Sequence, residues 1–166
     1  MKQVTFLIIG AGDRGFTYSQ YATHFPDKMK VVGVAEPRDF HRNKMAKEHA
    51  IIAENTFTDW KQAAEKERFA DAVIISTQDA MHFEPAIAFA KKGYHIMLEK
   101  PMAPTEEECR QIVQEVKKQK VMFAVCHVLR YTSYTQKLKK VLDDGAIGEI
   151  ISIQHLEPVG YWHQAH

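Results

Sequence analysis

Gly10-Ala11-Gly12-Asp13-Arg14-Gly15 follows directly on an apolar run, Val4 to Ile9, and leads into a stretch of helical character, Phe16 to Phe25, closed by Pro26. A Gly-x-Gly-x-x-Gly pattern between a strand and a helix permits a tight turn and lets a pyrophosphate approach the backbone closely. The free N–H groups of the helix start then face its charge, so Gly10, Gly12, Asp13, Arg14 and Gly15 are candidate cofactor contacts. By its letters alone the pattern also suits a glycine-rich turn that binds nothing. Its setting favours the dinucleotide, because Lys30 to Ala35 reads as a second strand and Glu36 stands at its end, 21 positions past Gly15, where an acid receives the ribose hydroxyls of an adenosine. Arg38 keeps a second option open: an arginine just past the acid can hold a 2′-phosphate, or it can be a solvated surface residue. NAD is therefore the expected cofactor, with NADP possible.

Downstream of that unit the same alternation continues, as in a parallel sheet covered by helices. Asp59 to about Arg68 reads as a helix, with Asp59 and Gln62 at capping-box spacing, and Ala72 to Ser76 as the fourth strand. Phe83 to Lys92 is helical and ends on Lys91-Lys92-Gly93, two cations and a glycine suited to a helix C-terminus. Tyr94 to Leu98 reads as a fifth strand. Thr105 and Glu108 then open a helix in which Cys109, Ile112, Val113 and Val116 form one apolar stripe, and Val121 to Val125 reads as a sixth strand. The expected fold is α/β, a doubly wound Rossmann sheet over residues 1–125. Residues 126–166 then begin a second α/β domain, with a helix from about Ser133 to Asp144 and a strand from Glu149 to Leu156.

Composition narrows the partners. The 166 residues are 45% hydrophobic and 26% charged, as in an ordinary globular protein, and 22 basic residues nearly balance 21 acidic ones. No bulk charge draws the chain to nucleic acid or to anionic lipid. The apolar run at the start is too short for a signal peptide. The two cysteines, Cys109 and Cys126, have neither a CxxC nor a zinc-like spacing, which fits reduced thiols in a cytoplasm. A small-molecule partner is expected, with no nucleic acid and no membrane.

Several further landmarks occur in order: Glu36-Pro37, the stretch ADAVIISTQDAMH ending in His82, the tripeptide Glu99-Lys100-Pro101, the run Leu129-Arg130-Tyr131, and Gly145 to Ile150. Together with the glycine turn, these resemble the Gfo/Idh/MocA family of oxidoreductases, and the likeness covers nearly the whole chain. The resemblance implies that Thr77 and His82 lie along the cofactor, that Glu99 and Lys100 sit at its nicotinamide end, and that His127 lies near the nicotinamide. It also implies a sugar or polyol substrate and a homo-oligomer. In the family a proline usually follows the threonine; here Gln78 leaves the shape of that loop open. His82 also admits a purely structural reading, as a helix-start residue with one hydrogen bond, and His127 a similar one.

Lys100 carries the chemistry in this reading. Oxidising a hydroxyl needs a base for the O–H proton as hydride leaves carbon. A free lysine amine is too basic, with a reference pKa of about 10.4; burial and a positive nicotinamide are the expected remedy, and Glu99 would oppose them. The plain alternative is a charged turn before a proline. Arg130-Tyr131 either touches substrate or pins the second domain, and His163 and His166 are a weak metal pair without a third ligand, so no metal is expected. Two other activities stay open: a glycosidase that oxidises and re-reduces its sugar on NAD, and a non-catalytic sensor or repressor, which would have no need of the Glu-Lys-Pro base. Family members continue for well over a hundred further residues, so a chain of this length is expected to bind cofactor without catalysing and to self-associate through the strand at Glu149 to Leu156.

Overall fold

The computed structural model describes residues 2–161. The chain divides into two compact units, one running through His127 and one beginning at Val128.

The first unit is a six-stranded, wholly parallel sheet. Its elements in chain order are β1 (Val4–Ile9), α1 (Asp13–His24), β2 (Met29–Ala35), α2 (Asp39–Glu48), β3 (Thr56–Phe57), α3 (Trp60–Glu65), β4 (Ala72–Ile75), α4 (Phe83–Lys91), β5 (His95–Leu98), α5 (Glu106–Gln119) and β6 (Phe123–Val125). The strand order β3-β2-β1-β4-β5-β6 is that of the doubly wound Rossmann fold. It places the strand order reversal at β1, beside β4, so the loops after β1 and β4 open a crevice at the carboxyl edge of the sheet.

Period-two alternation sorts the strands into two cores. Leu7, Ile9, Val73, Ile75, Ile96 and Leu98 pack with Phe89 of α4 and with Ile112 and Val116 of α5, whereas Ile8 and Ile74 turn to the other face with Ala22 of α1 and Met45 of α2. On β2, Val31 and Val34 share that second face although three positions separate them. The cause is a register shift, since Phe6 pairs with Val31 but the next residue, Leu7, pairs with Gly33.

Most helix boundaries follow their local signals. On α5 the Thr105 hydroxyl accepts from the Glu108 N–H at 3.3 Å, and the Glu108 carboxylate accepts from the Thr105 N–H at 3.2 Å. A cap of this kind contributes about 1 kcal/mol, while burying Ile112 and Val116 contributes roughly 2 kcal/mol each, so packing rather than the cap holds α5 in place. Asp59 and Gln62 likewise form a capping box on α3, and Gly93 has φ +78° after α4.

Three expected boundaries need correction, and two elements went unread. Helix α1 begins at Asp13, not Phe16, because the last residues of the glycine turn are already its first turn. Neither α2 nor β3 was legible: α2 buries only Met45 and so carries no apolar stripe, and β3 is two residues long, beneath any periodicity. Helix α3 stops at Glu65 instead of Arg68. Strand β6 begins at Phe123, because Lys120 takes a left-handed conformation at φ +55° and the Val121 N–H is still bonded to the Val116 carbonyl.

The second unit holds a short 3-10 turn at Val128–Tyr131 and a helix, α6 (Ser133–Asp143), capped by the Thr132 hydroxyl. The strand expected over Glu149 to Leu156 is not formed: no regular structure runs through those residues, and Ile151 is 97% exposed. A strand needs a neighbour to take its N–H and C=O groups, and the described residues offer it none.

Candidate functional site

The carboxyl ends of β1, β2 and β4, with the start of α3, enclose a cleft of about 600 Å³, a size typical of small-molecule sites. Gly10, Gly12, Glu36, Arg38, Ser76 and Thr77 line it, joined by Asp59, Trp60 and Lys61.

The three glycines of the turn have separate tasks. At Gly10, φ is +86° and a Cβ would lie 2.6 Å from the Ser76 carbonyl oxygen, so the residue makes the turn between β1 and β4 possible. At Gly15 a Cβ would sit 1.9 Å from the Gly10 carbonyl oxygen, which is the close approach of α1 to the strand end. Gly15→Ala is therefore expected to destabilise the first unit by roughly 3 kcal/mol, read as a fall of about 10 °C in a thermal melt; an unchanged melting temperature would show that the turn can relax. At Gly12 the nearest atom to a Cβ is the flexible end of Arg38, 3.2 Å away. A Cβ there would meet no backbone, only that close guanidinium, and its absence keeps the cleft open.

Gly12 is also the N-cap of α1 and gives its first N–H groups no side-chain partner. Those groups, which have no intrahelical acceptor, are free to meet an anion. A glycine cradle, open helix-start donors and a carboxylate in one cleft fit a dinucleotide.

Glu36 is 2% exposed and fully engaged. One carboxylate oxygen accepts from the Ala11 N–H at 2.8 Å and from Arg38 Nη2 at 3.1 Å; the other accepts from the Arg38 N–H at 3.0 Å and Nε at 2.7 Å. Burial alone would raise its pKa, but the Arg38 and Ala11 hydrogen bonds outweigh it and hold the carboxyl below the ordinary glutamate value. Arg38 is thus an exposed arginine whose guanidinium clamps the buried Glu36 at two points. Arg42 braces the same turn from α2, donating from Nη1 to the Glu36 carbonyl at 2.7 Å and ion-pairing with Asp39.

Of the other expected site residues, Thr77 lines the cleft and the rest do not. Asp13 and Arg14 are exposed on the first turn of α1, and their side chains are not part of the cleft lining. Thr77 lines the cleft and donates to the Met81 carbonyl at 3.2 Å. Gln78 has φ −71°, the angle a proline ring would impose, so the loop keeps a proline-compatible course. His82 is wholly buried, its Nδ1 2.8 Å from the Pro101 carbonyl oxygen and its Nε2 3.2 Å from that of Thr77. It ties the loop after β4 to the segment after β5 and is not part of the cleft lining. His127 is exposed past β6, its N–H bonded to the Val125 carbonyl, and it is not part of the cleft lining either.

Lys100 is exposed, so the burial expected to tune its amine is not found in this chain. The residue stands two positions past Leu98, the end of β5. Glu99 does not turn to the Lys100 amine. Its carboxylate, 6% exposed, accepts a hydrogen bond from the Tyr18 hydroxyl through one oxygen and from the Lys100 main-chain N–H at 2.9 Å through the other. Burial, then the hydrogen bonds to Glu99 and Cys126, hold the Tyr18 phenol well above its ordinary value; burial likewise pushes up the Cys126 thiol, with Tyr18 acting against it.

Sequence reasoning missed Tyr18, Cys126, Arg42 and the Asp59-Trp60-Lys61 wall. The last had a usable signal: the α3 N-cap follows a strand, and in this topology every strand-to-helix loop gathers at one edge. Tyr18 and Cys126 had none, being apart in sequence and ordinary in type. Among the described residues no cluster could hold a metal, and no helix is long and apolar enough to cross a membrane. Arg130 and Tyr131 lie in the second unit, in its 3-10 turn. Trp162 to His166, with the two histidines weighed as metal ligands, lie outside the described residues.

The model of an oxidoreductase family described as an NAD-binding Rossmann fold matches residues 4–127. The chain is 28% identical over 149 residues to a 2,7-anhydro-N-acetylneuraminate hydratase of Escherichia coli, covering 90% of this chain and 38% of that protein. It is 36% identical over 101 residues to a levoglucosan dehydrogenase of Pseudarthrobacter phenanthrenivorans, covering 61% of this chain and 26% of that one. Among solved structures, the WlbA dehydrogenase of Bordetella pertussis in complex with NADH and UDP-GlcNAcA superposes with a TM-score of 0.80 at 21% identity, over 88% of this chain and 43% of that chain.

Proposed function

Because the chain belongs to the Gfo/Idh/MocA oxidoreductase family, we propose that the protein it represents oxidises or reduces a hydroxyl-bearing carbon of a sugar or polyol, with NAD as its cofactor. The observation that carries this reading is the Glu36 carboxylate, held at the end of β2 against the glycine turn by the Ala11 N–H and bordering the same cleft. NAD, when bound, supplies the hydride acceptor; this chain supplies the cofactor's seat and the base. Gly12 and the open N–H groups of α1 receive the pyrophosphate, Glu36 exchanges an Arg38 hydrogen bond for the adenosine ribose hydroxyls, Thr77 borders the dinucleotide, and the Lys100 amine takes the substrate's O–H proton. The protein is placed in the cytoplasm as a homo-oligomer, with residues 1–125 as its dinucleotide domain.

Arg38 bears on the choice of cofactor. Its guanidinium is committed to Glu36 at two points, so capturing a 2′-phosphate would mean breaking a bidentate pair and leaving a buried carboxylate short of donors. NAD is expected to bind at least about tenfold more tightly than NADP, a difference of about 1.4 kcal/mol. Calorimetric titration with each cofactor checks this. Tighter binding of NADP would show that Arg38 leaves the acid and dominates the site.

The similarity to a protein named a hydratase favours a second reading, in which water is added or removed and the cofactor is unchanged in the net. Accumulation of reduced cofactor with substrate marks the net dehydrogenase; unchanged cofactor with product formed marks the other.

A further inference from the structure

We propose that Tyr18 is a positioning residue for Lys100, acting through Glu99: its hydroxyl holds one carboxylate oxygen so that the other fixes the Lys100 main-chain amide. Three elements meet there. Tyr18 is carried by α1, Glu99 follows β5, and Cys126 follows β6 with its N–H bonded to the Leu98 carbonyl at 2.9 Å. The sheet order, with β1 next to β4 and β4 next to β5, brings α1 to the segment that leads into Lys100.

The physical need is specific. A carboxylate as buried as Glu99 must have its oxygens answered by donors, and its side-chain hydrogen bonds are to the Tyr18 hydroxyl and the Lys100 N–H, neither of them a cation. The bond to Lys100 joins adjacent residues, so it constrains the backbone where the chain leaves the sheet. By itself such a contact is loose, since a glutamate at a strand end can rotate out to water. Tyr18 prevents that from the far side. Its phenol stays a protonated donor, because burial first and Glu99 second hold its pKa up. Without the hydroxyl, one oxygen of a nearly dry carboxylate lacks a donor, which is the condition under which the side chain leaves. Lys100 would then be tethered by Pro101 and the His82 contact alone.

The proposal rests on the reading of Lys100 as the proton-transfer group, and its test separates the two. Amide hydrogen exchange at Lys100, followed by NMR in this chain, is expected to be slowed at least about tenfold relative to an unstructured peptide, although the residue is exposed. In Tyr18→Phe, which keeps the ring, that protection should fall about tenfold while the amides of β4 and β5 keep theirs. In the active enzyme the same variant should lower kcat about tenfold, with KM and the NAD dissociation constant within twofold. Protection that survives the substitution overturns the positioning role whatever happens to kcat. Protection that falls while kcat holds supports the positioning role and removes Lys100 from the chemistry. Should Tyr18→Phe not fold, an unprotected Lys100 amide in the unsubstituted chain is sufficient to overturn the proposal.

Discussion

Gly12→Val is expected to abolish dinucleotide binding, raising the dissociation constant at least about a hundredfold, or about 2.8 kcal/mol, while leaving the far-ultraviolet circular dichroism unchanged. The contrast with its neighbours makes the experiment clean. A side chain at Gly10 or Gly15 meets backbone oxygen at 2.6 and 1.9 Å, so a change there damages the fold and says little about ligands. At Gly12 the only atom near a Cβ is the Arg38 Nη2 that also holds Glu36, not backbone, and the branched valine would stand in the cleft where a pyrophosphate approaches the first turn of α1. Calorimetry on both proteins measures the effect. Unchanged affinity with an intact spectrum would remove the glycine turn from the binding site.

The second large effect is expected at Lys100. Lys100→Ala should lower kcat by about a hundredfold or more, the usual scale for losing a general base, with NAD affinity little altered because Lys100 is not part of the cleft lining. Exposure of the side chain makes the fold indifferent to the change, so the melting temperature should hold. Near-normal turnover would reduce Lys100 to an ordinary charged residue before a proline. A proportional rise in KM with kcat preserved would instead show that the amine binds substrate without moving its proton.

How these residues come to be arranged was legible only in part. The glycine spacing, the β-branched run of β2 and the acid at its end together predict a βαβ unit around a dinucleotide, because each is a local device spanning a few residues. Caps at Asp59 and Thr105 were readable for the same reason. By contrast, α2 hid in a polar stretch with one buried residue, and the isoleucines near residue 150 resemble a strand by pattern but form none. Apolar alternation proposes a strand; a partner's hydrogen bonds make one.

By itself, then, the sequence determined the parallel architecture, the position of the glycine turn and the acid that faces it, since periodicity, capping and turn chemistry act between near neighbours. Tertiary structure alone decided that Arg38 clamps Glu36, that His82 is a buried tie, that Lys100 is exposed, and that Tyr18 reaches Glu99 and Cys126. Those outcomes depend on which strand lies beside which. Positions 18, 99 and 126 come together because parallel strands in the order β1-β4-β5-β6 end at one edge of the sheet, with α1 packed beside it, and no spacing along the chain records that meeting.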